Sequence, residues 1–375
     1  MNRVASTCRR RFRWTSSWAA VIALVLSVSP VFAQKKGGKP PPTPPSLQNS
    51  AIVYIAGDSI KVADADGANQ VTLFTDRFAH LGAPSWAPDG DKIIFNGDMN
   101  GQGIYEISLD RTTGLIGAPQ KIVAHTAGIL ASPRWSPVRT VNGEFMIAYE
   151  DYPPGSIQTD ILLFDPEAGA VFNLTNTPGI SELTASWSPD ATRLVVKTMV
   201  NNNISIPYDV EILTLGSGTA CGDNGAAVCE VSSRQSLVQQ VLGSPLINGS
   251  PIMNTSWANK GHKIALSALI PPDQNSDVWV IEFDDSGVVA SNLTNTNSTD
   301  TPDRHETIPT WSPDDSKIMY MGWDYLCQPQ SNKKRGYNLI VRNVNGDDFP
   351  EACEEKMIVE GGRSPSWWRG ANSNP

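Results

Sequence analysis

One motif recurs six times in this chain, and it constrains the fold more than any other feature. The copies read PSWAPDGDKIIF from Pro84, PRWSPVRTVNGEFMIAY from Pro133, ASWSPDATRLVV from Ala185, TSWANKGHKIAL from Thr255, PTWSPDDSKIMY from Pro309 and PSWWRG from Pro365. Their tryptophans are Trp86, Trp135, Trp187, Trp257, Trp311 and Trp367, spaced 49, 52, 70, 54 and 56 residues apart. A repeat of this period marks a fold of stacked supersecondary units, each burying its apolar face only against its neighbours.

Each tryptophan is followed by Ser-Pro-Asp or a close variant, where proline presets φ and Asp or Gly completes a turn. An apolar run comes next, at Ile93, Met146, Leu194, Ile264 and Ile318. A second run follows a polar loop, as in DILLFD from Asp160, DVEILTL from Asp209 and DVWVIEF from Asp277. A third run ends in a polar cluster, as in VFNLTN from Val171 and ASNLTN from Ala290. Four short strands joined by hairpins make one propeller blade. Residues 51–75 supply three strands with no tryptophan strand ahead of them, and the sixth motif has no strands after it. The reading is therefore an all-β, six-bladed β-propeller of four-stranded blades over residues 50–368. The Trp367 strand is expected to join the N-terminal strands and close the ring, which removes exposed edges. The tryptophans are expected to be core, packed between blades.

Residues 1–33 place five arginines and an apolar stretch ahead of Val31-Phe32-Ala33, the pattern of a secretory signal cleaved after Ala33. Residues 34–49 are a proline-rich linker, expected to be extended, and residues 369–375 are a tail. The segment after Ala33 carries 24 basic against 38 acidic side chains, a net charge of −14. That balance argues against nucleic acid and anionic membranes as partners. Cys221, Cys229, Cys327 and Cys353 form an even set in an exported chain and read as two disulfides. Three connectivities are open; Cys221–Cys229 and Cys327–Cys353 are favoured because each pair lies within one repeat. The expected location is the periplasm or the cell exterior, and the expected state a monomer.

The units, with their W-A-P-D-G and W-S-P-D, D-I-L-L-F-D and N-L-T-N segments, resemble the WD-repeat-like blades of the TolB-type propeller family across about residues 50–368. The resemblance is tightest around Trp86, Trp187 and Trp311. That family's separate N-terminal α/β domain is expected to have no counterpart here, where only the short linker precedes the repeats. The resemblance implies a periplasmic propeller that binds a protein partner. Similar propellers also gate serine peptidases, but this chain has no G-x-S-x-G elbow. Others are metal-dependent oligogalacturonate lyases.

Chemistry has few places to reside. His80 and His305 lie six residues before a motif tryptophan, and Glu182 and Glu306 five before theirs. Loops there lead into the innermost strands at the channel mouth. Imidazole and carboxylate suit zinc or manganese, so these four residues are the candidate metal site, and a glycan-active metalloenzyme is the alternative function. The primary reading has no cofactor and no catalysis. Asp64-Ala-Asp66-Gly67 resembles part of a calcium loop but lacks the bidentate Glu, and a hairpin turn is expected. The long loops between second and third strands carry Tyr152, Tyr208, Trp323 and Tyr325. Loops on a rigid scaffold are where recognition resides, and aromatic side chains there suit a protein or sugar partner.

Overall fold

The computed structural model describes residues 46–124, 128–141, 143–153, 155, 158–200, 209–216, 230–237, 252–269, 276–294, 305–323, 336–345 and 355–370. These residues form 25 strands in six antiparallel sheets, the blades of a β-propeller. Blade 1 contains β1 (Ile52–Ala56), β2 (Ser59–Ala63) and β3 (Val71–Thr75). Blade 2 contains β4 (Gly82–Trp86), β5 (Lys92–Gly97) and β6 (Gly103–Asp110), edged by β7 (Leu115–Ile116) and β8 (Gln120–Ala124), which both pair with β6. Blade 3 runs β9 (Ile129–Trp135), β10 (Ile147–Tyr152), β11 (Asp160–Asp165) and β12 (Ala170–Asn173). Blade 4 runs β13 (Ile180–Trp187), β14 (Arg193–Val200), β15 (Asp209–Gly216) and β16 (Glu230–Ser236). Blade 5 runs β17 (Ile252–Trp257), β18 (Lys263–Leu269), β19 (Ser276–Asp284) and β20 (Gly287–Asn292). Blade 6 runs β21 (Glu306–Trp311), β22 (Lys317–Gly322), β23 (Asn338–Asn343) and β24 (Glu355–Glu360). The last strand, β25 (Gly362–Trp367), pairs with β1, with Trp367 opposite Ile52.

The first strands β4, β9, β13, β17, β21 and β25 all end on a motif tryptophan. Each touches the next, and β25 touches both β21 and β4. Among the described residues no helix is long and apolar enough to cross a membrane.

The second strands show why the apolar runs are continuous. Successive side chains of a strand point to opposite faces, and a blade is covered on both. In β14, Leu194 and Val196 pack with Trp187 and with Met146 and Ala148 of blade 3. Val195, between them, packs with Trp257 and Leu266 of blade 5. A strand buried on both faces needs an apolar run, not alternation.

The motif turns carry their own hydrogen bonds. Ser188 Oγ donates to Asp190 at 2.6 Å and accepts from the Arg193 N–H at 2.9 Å. Ser312 does the same with Asp314 and Lys317. The fourth residue after the tryptophan is left-handed at Gly90, Ala191, Gly261 and Asp315, which explains the glycine of the W-A-P-D-G and W-A-N-K-G copies.

Each first strand also carries a β-bulge just before its tryptophan. Ala83, Ser132, Thr184, Ile308 and Ser364, three residues before their tryptophans, have φ of 40°, 50°, 54°, 55° and 49°. Proline follows four of them, at Pro84, Pro133, Pro309 and Pro365, where the interrupted ladder needs no N–H.

The fold takes in more chain than residues 50–368. Leu47 is buried in the blade 1–blade 2 core. Arg111 holds the same segment by donating to the carbonyls of Gln48 at 2.7 Å and Ser50 at 2.9 Å. Its guanidinium lies 4.1 Å from the Trp368 ring centroid. Asp64–Asn69 is the β2–β3 hairpin turn, tied by Asn69 Nδ2 donating to Asp64 at 2.6 Å.

Candidate functional site

The first strands surround a channel whose two halves share a waist. One cavity, of about 110 Å³, lies at the tryptophan ends; a second, of about 50 Å³, lies toward the strand starts. Both are lined by Arg134, Ser186, Ser256, Thr310 and Ser366. With Ser85, these are the residues immediately before the six tryptophans. The waist is therefore five hydroxyls and one guanidinium, one side chain from each blade.

The tryptophans stitch the blades together behind that waist. Trp187 Nε1 donates to the Arg134 carbonyl at 3.1 Å and Trp311 Nε1 to the Ser256 carbonyl at 3.0 Å, each reaching one blade back. Trp187 and Trp257 are 1% exposed, whereas Trp135 is half-buried and its indole N–H has no partner.

Two arginines line the larger cavity. Arg134 Nη1 donates to the carbonyls of Pro133 at 2.9 Å and Ala83 at 3.3 Å. Burial lowers its pKa, against the attraction of Glu150. Arg369, expected from the sequence to be tail, turns into the channel and donates to the Trp187 carbonyl at 3.3 Å, on the opposite side. Burial lowers its pKa to about 10, against the attraction of Asp315. Both arginines were legible as departures from the repeat. Arginine replaces Ser or Thr before Trp135, and Trp368-Arg369 replaces the usual small residue and proline after Trp367.

The sequence-selected candidates occupy the other face, where first strands begin and second strands end. His80 and His305 are exposed, whereas Glu182 and Glu306 are fully buried. Glu182 is ion-paired with Arg234 at 2.7 Å; its pKa is raised by burial, opposed by that arginine. Arg234 also holds Glu211 at 2.9 Å. Among the described residues no group of three or more His, Cys, Asp or Glu side chains is arranged to hold a metal ion. Tyr152 donates to Glu150 at 2.6 Å. Burial, first, and then the Glu150 charge push its hydroxyl pKa well above the ordinary tyrosine value. Glu150 also accepts from the Thr184 N–H at 3.0 Å, which ties the bulge of β13 to β10.

His305 and Trp323 come together: the Trp323 N–H donates to the His305 carbonyl at 3.2 Å, and His305 bridges to Ser276 of blade 5. Trp323 meets Tyr337 edge-on, with ring centroids 4.6 Å apart, and Tyr337 is 42% exposed. Tyr337, which sequence reasoning missed, begins the run into β23 and so faces Trp323 across the loop's root. Tyr208, Tyr325, Cys221, Cys229, Cys327 and Cys353 lie outside the described residues, as do residues 1–33, expected to be a secretory signal, and residues 34–45, expected to be linker.

No protein-family model matches the sequence, and no curated protein matches it. Solved structures do. TolB from Acinetobacter baumannii is 19% identical with a TM-score of 0.57, over 86% of this chain and 67% of its own. A putative TolB from Agrobacterium tumefaciens is 14% identical with a TM-score of 0.54, over 84% of this chain and 91% of its own. Hydrazine synthase from Kuenenia stuttgartiensis is 13% identical with a TM-score of 0.55, over 87% of this chain but 48% of its own. At these identities the likeness is one of fold: the chain has the propeller fold of the TolB structures.

Proposed function

We propose that this protein is an exported propeller that binds a protein partner on its loop-bearing face and carries out no covalent chemistry. The observation that carries the reading is the Trp323–Tyr337 pair at the root of the blade 6 loop, with Tyr337 open to solvent. Aromatic side chains supply large contact area at small entropic cost, which is why they anchor protein interfaces. The second strands β10, β14, β18 and β22 all end on this face. The leader-like residues 1–33 and the acidic remainder support an exported protein whose partner is neither nucleic acid nor an anionic membrane.

Quantitative affinity capture from the producing cell's envelope and culture fluid tests this. The wild-type chain should retain one protein at near-stoichiometric yield. The Trp323→Ala/Tyr337→Ala double variant, with unchanged far-UV circular dichroism, should lose at least tenfold of it. Equal retention by both chains would refute the assignment of the face.

A further inference from the structure

The channel carries a second binding feature, at the end away from the loop-bearing face. Arg134 and Arg369 line one cavity, and each donates only to main-chain carbonyls through a single nitrogen. A guanidinium has five N–H donors, so most of this capacity faces the cavity. Among the described residues, no carboxylate lies within ion-pair distance of either group. Glu150 attracts Arg134 and Asp315 attracts Arg369, both from farther away. Asp315 is held in place by Asn259: its Oδ1 accepts from the Asn259 N–H at 2.7 Å and from Asn259 Nδ2 at 2.9 Å, while its Oδ2 is buried without a hydrogen-bond partner.

The hydroxyls around the waist point to the same ligand chemistry. Ser186 Oγ accepts from the Trp257 N–H at 2.9 Å, and Thr310 Oγ1 from the Trp367 N–H at 3.4 Å. A hydroxyl that accepts from the backbone keeps its own proton to donate. Ser256 and Ser366 also line the cavity. Both guanidiniums are half-buried; a partly desolvated cation without a close counter-ion carries a cost, and an anion that accepts its hydrogen bonds offsets it. A cavity of about 110 Å³ holds several waters at roughly 10–15 Å³ each, and so has room for one compact anion.

We infer that the tryptophan end of the channel is a binding site for a small oxyanion, of the size of phosphate, sulfate or a simple carboxylate, gripped by Arg134 and Arg369 and by the waist hydroxyls. Arg369 spans the cavity from the last strand to β13, so the ligand also ties the C-terminal strand to the blade opposite. The site is independent of the partner-binding face: its residues lie at the far ends of the first strands.

The test uses the full chain in gluconate buffer of low ionic strength, with inorganic phosphate, sulfate and acetate as probes. Tryptophan fluorescence and the thermal midpoint are the readouts, since seven tryptophans line the cavity. At least one probe should raise the midpoint saturably and change the fluorescence, beyond an equal ionic strength of gluconate. Arg369→Gln and Arg134→Gln should each weaken that response at least tenfold. Arg139→Gln, on the exposed pair with Glu167, should leave it unchanged. If Arg134→Gln does not fold, Arg369→Gln alone decides the matter, because its side chain lies at the channel end and not within a strand. A response no larger than gluconate's, or one equal in wild type and Arg369→Gln, overturns the inference.

Discussion

Removing single motif tryptophans should rank by burial and by the fate of the indole N–H. Trp187 is 1% exposed and its Nε1 reaches the Arg134 carbonyl of the preceding blade. A tryptophan buries on the order of 150–250 Å², worth about 4–6 kcal/mol at ~25 cal/mol per Å². A compact denatured state lowers this by roughly 10–40%. The result, about 3–5 kcal/mol, agrees with the usual cost of truncating a buried aromatic to alanine. The orphaned Arg134 carbonyl adds about 1 kcal/mol. Trp135 is half-buried and its N–H has no partner to lose, so Trp135→Ala should cost about half as much. For a chain of this size about 2 °C accompanies each kcal/mol. Thermal melts should then fall by about 10 °C for Trp187→Ala and about 5 °C for Trp135→Ala. Equal shifts, or a larger one for Trp135→Ala, would refute the argument that inter-blade burial sets the cost.

Other perturbations follow from the same contacts. Gly67→Ala would place a Cβ 2.0 Å from the Ile358 carbonyl oxygen at φ +83° and should cost more than about 3 kcal/mol. Gly169→Ala, at φ +67° with open space around it, should cost about 1–2 kcal/mol; denaturant titration of the two separates contact from backbone strain. Trp368→Ala loses the Arg111 stack, the Trp86 contact and the bond from its Nε1 to the Pro88 carbonyl. It should cost roughly 3 kcal/mol and speed hydrogen exchange in β1, whereas unchanged exchange would show that the chain ends are held elsewhere. The carboxyl pKa of Glu182 is raised by burial. Its folded value thus exceeds its unfolded value, and its favourable contribution is fully present at low pH and lost as pH rises through the folded pKa. The stability of Glu182→Gln relative to wild type should therefore be most favourable near pH 7 and become less so as pH falls and the wild-type carboxyl takes up its proton. A difference that grows on acidification would contradict the burial argument.

Much of this fold was legible because the repeat writes each blade's register into the chain. The tryptophan marks the end of a first strand, the Ser-Pro-Asp turn follows it, and the uninterrupted apolar runs announce strands covered on both sides. The bulges were not legible, since Ala83, Ser132, Thr184, Ile308 and Ser364 share no residue type that favours a left-handed backbone. Only the proline after four of them hints at a broken ladder. The metal candidates were drawn from their offset to the tryptophans. That offset places His80 and His305 at the surface while neighbouring carboxylates turn inward. The partner of Glu182 could not be found that way, because Arg234 comes from the outer strand of the blade, 52 residues on. The channel arginines could have been found by asking where the repeat breaks its own pattern.

The claim that this propeller works by recognition on one face is tested most directly by a photo-crosslinking amino acid placed at Tyr337 and, separately, at Asp190 on the opposite face. In producing cells the Tyr337 probe should yield one discrete adduct with a second protein, and the Asp190 probe should yield none. Adducts from Asp190 alone, or from neither position, would contradict the account.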